Sequence, residues 1–232
     1  MSLYAISDLH LSFDEDKPMD IFGTNWENHQ EKIRENWKKT VKENDVVLLP
    51  GDFCWSMYLQ DTYKAFNYLE TLPGKKLLLK GNHDYWWSTV TSMRNYLKEN
   101  NFKTIDFIYN NAYEYENYII CGTRGWTITD NDEENKKILN REIQRLKLSL
   151  EYAKNNFDLQ EKKIIVCMHY PPIKGETISE FINVMKEYNV QTCLYGHLHG
   201  NAHKDVIEGK IQGINLKMVS CDYTNFELIK LK

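Results

Sequence analysis

The residues able to do chemistry in this chain fall at the ends of short apolar runs, and that placement constrains the fold more than any other feature. Leu3–Ser7 runs into Asp8-Leu9-His10, Val46–Leu49 into Gly51-Asp52, and Lys76–Lys80 into Gly81-Asn82-His83-Asp84. Lys163–Met168 leads to His169-Tyr170-Pro171-Pro172, and Gln191–Tyr195 to Gly196-His197-Leu198-His199. The runs read as strands. In open α/β sheets, ligands bind in the loops at the carboxyl ends of strands. The pattern therefore brings carboxylates, a carboxamide and imidazoles to one rim. Gathering so many polar side chains at one edge without a partner is costly, so the set points to a bound group.

Tyr118–Gly122 is a further strand, and Glu27–Asn44, Tyr58–Leu72 and Ser88–Asn100 read as helices, which makes the layout α/β. The clearest helix is Asp130–Phe157, where Leu139, Ile143, Leu146, Leu150 and Ala153 make one apolar stripe. Asp130, Asp132, Glu133 and Glu134 gather at its start, where the helix dipole favours negative charge. The stripe covers one face of a sheet or, alternatively, forms a short dimer seam. In the tail, Lys210–Ser220 and Phe226–Leu231 read as antiparallel strands joined through Cys221–Asn225. With 232 residues and no repeat or linker, the expectation is one domain over 1–232.

Hydrophobic residues at 42% and charged residues at 27% are ordinary for a globular chain and argue against disorder. The net charge of −4 disfavours nucleic acid as a partner. No apolar run is long enough to span a membrane, and the N-terminus enters a strand without a targeting signal. Five scattered cysteines, with no CxxC pair, read as reduced thiols. The expected location is the cytoplasm. The oligomeric state stays open.

The ordered set D-x-H, G-D, G-N-H-D, H and G-H-x-H, running from Asp8 to His199, resembles the calcineurin-like metallophosphoesterase superfamily and its bacterial-type phosphohydrolases. The resemblance implies an α/β sandwich: two mixed β-sheets packed face to face, flanked by helices, with a dinuclear metal site at the strand C-terminal edge. It implies that Asp8, His10 and His199 hold one metal, that Asn82, His169 and His197 hold the other, and that Asp52 bridges them. It also implies hydrolysis of a small phosphomonoester or phosphodiester by a water shared between the ions, with His83 as general acid. The donor types independently suit two divalent ions, manganese first, with iron or zinc as alternatives. Two such ions outweigh the carboxylates of Asp8 and Asp52, leaving a positive site for an anionic ester.

Several neighbours of the motifs carry expectations with alternatives. Asp84 orients the His83 ring, or else caps the helix that follows. The serine/threonine protein phosphatases extend their second motif to an arginine, whereas here Gly51-Asp52 continues as Phe53-Cys54-Trp55-Ser56-Met57, which puts protein phosphatase activity in doubt. Arg124 is the candidate replacement that would bind substrate phosphate, or else it is a surface residue. Trp55, Tyr58, Tyr85, Trp86, Trp87, Trp126 and Tyr170 either pack the loops or form a wall for a flat leaving group. The loop Ser12–Asn28, acidic at Asp14-Glu15-Asp16, is placed to cover the site. His29 and His203 receive no ligand role. A nuclease using the same site, or a metal-binding scaffold without catalysis, are the competing readings.

Overall fold

The computed structural model describes residues 1–13, 17–127 and 133–232. Strands are numbered in chain order. One sheet contains β1 (Leu3–Ala5), β2 (Val46–Pro50), β3 (Lys75–Leu79), β4 (Ile105–Phe107) and, at its far edge, β13 (Ile229–Lys230). Its order is β13-β1-β2-β3-β4. The second holds β5 (Tyr113–Tyr115), β6 (Tyr118–Thr123), β7 (Lys163–Met168), β10 (Thr192–Tyr195), β11 (Gly209–Ile211) and β12 (Ile214–Met218). Its order is β11-β12-β10-β7-β6-β5. A short hairpin of β8 (Ile173–Lys174) and β9 (Thr177–Ile178) stands apart. Both sheets are mixed: β1 to β4 run parallel, as do β6, β7, β10 and β12, while β13, β5 and β11 add antiparallel edges.

The apolar runs split by alternation, because successive strand side chains point to opposite faces. Leu3, Ala5, Val46, Leu48, Leu77 and Leu79 of the first sheet meet Ile120, Ile165, Cys167 and Leu194 of the second in one core. The intervening Tyr4, Val47, Leu49 and Leu78 face outward onto α1 (His29–Thr40), α2 (Tyr63–Glu70) and α3 (Val90–Glu99). On the other flank, Ile119, Cys121, Val166 and Cys193 pack under α4 (Glu133–Asn156) and α5 (Glu180–Glu187). The expected stripe of Ile143, Leu146, Leu150 and Ala153 is buried there, so it covers a sheet. The expected start of that helix at residues 130–132 lies outside the described residues, as do Asp14, Glu15 and Asp16.

The tail differs from expectation. Lys210–Ser220 is no single strand: it turns at Gln212-Gly213, where φ is 52° and 90°, into the β11–β12 hairpin. Positive φ at both central residues is the geometry that suits the strand twist of a two-residue turn. The last strand then leaves this sheet and pairs with β1 in the other one. Cys221–Asn225 is therefore a bridge between sheets. Its neighbourhood ties the two carboxyl edges together: Ser7 N–H donates to Val219 O at 2.8 Å, and Cys221 N–H to Ser7 O at 3.0 Å. The expected Tyr58–Leu72 helix is also shorter, being a 3₁₀ turn over Leu59–Thr62 before α2.

Candidate metal centre

The loops after β1, β2 and β10 leave their strands by abrupt turns. Asp8, His10, Asp52 and His197 have φ of 60°, 44°, 51° and 74°, a left-handed backbone that costs a non-glycine residue ~1–3 kcal/mol. The loops are stitched into one rim by backbone bonds, among them Asp8 N–H to Gly51 O at 2.9 Å and Gly196 N–H to His169 O at 3.1 Å. The motif glycines allow this close approach. A Cβ on Gly81 would lie 2.1 Å from Asp52 Oδ1, and one on Gly196 would lie 2.2 Å from Asp8 Oδ2.

The rim brings all the expected ligands together. Asp8 Oδ1 is 3.2 Å from His199 Nε2, which is 3.4 Å from His10 Nε2. Asn82 Oδ1 is 2.6 Å from His169 Nε2 and 2.9 Å from His197 Nδ1, and those two nitrogens are 3.2 Å apart. Asp52 lies between the groups, its Oδ2 3.6 Å from His10 Nε2 and 3.5 Å from His169 Nε2. Asp8, His10 and His199 form one set with metal-ligand spacing, and Asp8, Asp52 and His169 another.

The donor chemistry tests whether cations fit. His169 Nδ1 sits 3.1 Å from Pro50 O, a pure acceptor, so Nδ1 carries the ring proton. Burial holds this imidazole down at about 3, hence neutral, so Nε2 presents a bare lone pair to Asn82 Oδ1. Two acceptors at 2.6 Å repel each other unless a cation lies in front of both. Burial likewise lowers His10 well below its usual value and His197 to about 4, leaving the neutral form that binds metals. Burial raises the Asp52 carboxyl, and the charges of Asp8 and Asp84 raise it further. Burial acts on Asp8 in the same sense, yet the hydrogen bond and charge of His199 prevail and hold it well below the carboxylate range. Two buried carboxylates beside the neutral imidazoles of His10, His169 and His197 are an environment that positive charge would relieve. The residues fit a pair of divalent ions.

The surrounding shell contains one residue that the motifs do not announce. Asp222, in the bridge between the sheets, accepts from His199 Nδ1 at 2.9 Å and from Gly200 N–H at 3.2 Å. It also lies 3.2 Å from His203 Nε2. Burial depresses His199, but its hydrogen bonds to Asp222 and Asp8 carry it up to about 10. A carboxylate behind a ligand histidine fixes the tautomer that points Nε2 at the metal. Asp222→Asn should weaken Mn²⁺ binding at the His199 site by about 10–100-fold in calorimetric titration. Unchanged affinity would rule out this role for Asp222.

One expectation is corrected. Asp84 does not reach the His83 ring. Its Oδ2 accepts from Asp52 N–H at 3.0 Å and Gly81 N–H at 2.7 Å, and its Oδ1 from Phe53 N–H at 2.9 Å and Trp86 Nε1 at 3.1 Å. Nor does it cap α3, whose cap is Thr89, accepting Ser92 N–H at 3.2 Å. Asp84 is a clamp between the Asp52 and Asn82 loops; burial pushes its carboxyl up to about 6 against the pull of these donors. Arg124, the candidate for binding substrate phosphate, is largely buried beside the site. Its guanidinium lies over Trp126 at 4.5 Å and 3.7 Å from the buried Glu142, which also takes Arg145 at 2.6 Å. It makes no hydrogen bond or ion pair with the ligand set among the described residues. Only its carbonyl touches the site, accepting from His169 N–H and Tyr170 N–H, both at 3.0 Å.

His83 is half-buried at the rim, its ring 5.6 Å from that of His10 and 4.4 Å from Trp55. Its backbone N–H donates to Asp52 Oδ1 at 2.8 Å, and its Nδ1 is 3.4 Å from the Tyr85 hydroxyl. The aromatic residues divide. Trp86 is in the core, Trp55 stacks on His10 at 5.0 Å, and Tyr58 and Tyr85 are exposed. Tyr170 lies 4.2 Å from the His197 ring. In the loop expected to cover the site, Trp26 is buried with its ring 6.0 Å from His10 and 5.8 Å from His199.

A family model described as calcineurin-like phosphoesterase matches residues 1–201. Among solved structures the chain is similar to AQ665, a protein of unknown function from Aquifex aeolicus. The identity is 17% and the TM-score 0.51, over 99% of this chain and 95% of that one. It is also similar to TT1561 of Thermus thermophilus, at 12% identity and a TM-score of 0.59, over 98% and 96% of the two chains. At such identities the likeness is one of fold. No curated protein matches the chain.

Proposed function

The chain belongs to the calcineurin-like phosphoesterase family, and from that premise we propose that it hydrolyses a small phosphomonoester or phosphodiester with two divalent metal ions. The observation that carries the reading is the convergence of Asp8, His10, Asp52, Asn82, His169, His197 and His199 at one rim. Asp8, His10 and His199 would hold one ion, Asn82, His169 and His197 the other, with Asp52 serving both. Manganese is the first candidate, with iron or zinc as alternatives, since every donor is nitrogen or oxygen. A pair of such ions supplies Lewis-acid polarisation of phosphoryl oxygens and a nucleophilic water at neutral pH.

The chain's own residues do the rest. Asp84 locks the Asp52 and Asn82 loops to each other, so the two ligands keep a fixed separation. Asp222 orients His199. His83, beside but outside the ligand set, would give a proton to the leaving oxygen. In the metal-free protein burial lowers this imidazole, so a bound dianionic ester is what would favour its protonated form. No described helix is long and apolar enough to cross a membrane. The five cysteines are buried and none forms a disulfide, which accords with a reducing compartment, and a cytoplasmic location is part of the proposal.

The test is hydrolysis of p-nitrophenyl phosphate and bis-p-nitrophenyl phosphate by protein stripped of metal and then supplied with Mn²⁺. Turnover of at least one ester is expected only after metal is returned. Equal rates in chelator and in Mn²⁺, or bound metal with no turnover of either ester, would contradict the proposal.

A further inference from the structure

Beside His197 the surface sinks into a cavity of about 760 Å³, within the range that takes a small organic ligand. One part of its wall is a file of rings leading away from the metal site. His197 meets Tyr170 at 4.2 Å between centroids, and Tyr170 meets Trp126 at 5.2 Å. Much of the remaining lining is aliphatic, from Ile173, Leu198, Val206 and Ile207.

These walls are held in place. Trp126 donates its indole N–H to Asn135 on α4 at 2.9 Å. The Tyr195 hydroxyl accepts from Ile207 N–H at 3.0 Å and donates to Ile207 O at 2.8 Å. Tyr195 ends β10, two residues before His197, so the same strand positions a candidate ligand and the cavity wall. The cavity is thus preformed and continuous with the site.

We propose that this cavity receives the alcohol portion of the ester, and that this portion is an apolar, ring-bearing group. The inference rests on the phosphoesterase reading and adds the substrate class to it. With the phosphate at the metal ligands, the group esterified to it must leave the rim in some direction. The file of rings beside His197 offers a face on which a flat group can stack. Thr127, Thr177 and Asp205 also line the cavity, but the rings and the aliphatic stretch leave apolar surface the larger share of its wall, and burying unpaired polar groups against such surface is costly. The exposed Lys174 and Lys204, against Asp205, add one net positive charge, which suits an anionic ester.

The test separates binding from turnover by using phosphonates, whose carbon–phosphorus bond is not cleaved. Mn²⁺-loaded protein is titrated calorimetrically with phenylphosphonate and 2-naphthylphosphonate, while phenyl phosphate hydrolysis is followed separately. The second ring should tighten binding by about tenfold. Val206→Asp, which puts a carboxylate on the aliphatic wall, should erase that preference. Val206→Phe, which fills the space without adding charge, should erase it too, so the result does not depend on one variant folding. Equal affinity for the two phosphonates in the unaltered protein, or a preference that survives both substitutions, overturns the proposal. A naphthyl preference without phenyl phosphate hydrolysis would support the cavity assignment while counting against the reaction. Hydrolysis without a preference would do the reverse.

Discussion

Asp52→Ala is expected to abolish turnover and to reduce bound metal from about two ions per chain to one or fewer. The Asp52 side chain stands between the two ligand groups, with one oxygen 3.6 Å from His10 and 3.5 Å from His169. The fold should survive, because the clamp through Asp84 uses the backbone N–H of residue 52, which alanine retains. The metal-free variant gains one advantage, since burial and the charges of Asp8 and Asp84 make the Asp52 carboxylate unfavourable there. Alanine is strained at φ 51°, so Asp52→Asn, which tolerates a left-handed backbone, separates metal loss from backbone cost. In melting experiments Mn²⁺ should stabilise the unaltered protein much more than either variant, as expected when an ion binds only the folded state. Full occupancy by two ions in Asp52→Ala would remove Asp52 from the bridging position.

His83→Gln should leave metal content near that of the unaltered protein and slow hydrolysis of esters with poor leaving groups by roughly 10²–10⁴-fold. The ring lies outside the ligand set, and only its backbone N–H contacts Asp52. For p-nitrophenyl esters the loss should shrink, because a good leaving group departs without a proton. A loss of equal size for both kinds of ester would show that His83 acts some other way. Loss of metal in this variant would mean that the ring supports the site structurally, through its packing on Trp55 and His10.

What is legible in the sequence, and what is not, follows from the range of the interactions. The ligands are legible because each is a chemically distinctive residue directly after an apolar run, and parallel strands put such positions on one edge. The inter-sheet core is legible for the same local reason, an alternation within each run. Asp222 is not, because its partner His199 is 23 positions away in sequence and joins it only when the bridge crosses between sheets. Asp84 stands out in its motif, but its role does not: its partners are mostly backbone amides, which no side-chain pattern reveals. Arg124 suggests itself because the second motif lacks an arginine, whereas the buried Glu142 on α4 claims part of its charge. The tail hairpin has a local signal in Gln212-Gly213, but the pairing of β13 with β1 is a non-local choice between two available sheet edges.

The central claim is that these loops hold two metal ions with Asp52 between them. Crystals grown with Mn²⁺ and measured at the manganese absorption edge test it most directly. Two anomalous peaks roughly 3.5–4 Å apart are expected. One should lie within bonding reach of Asp8, His10 and His199, the other of Asn82, His169 and His197, and both should touch the Asp52 carboxylate. A single peak, or manganese bound elsewhere with these seven side chains still facing one another, would contradict it.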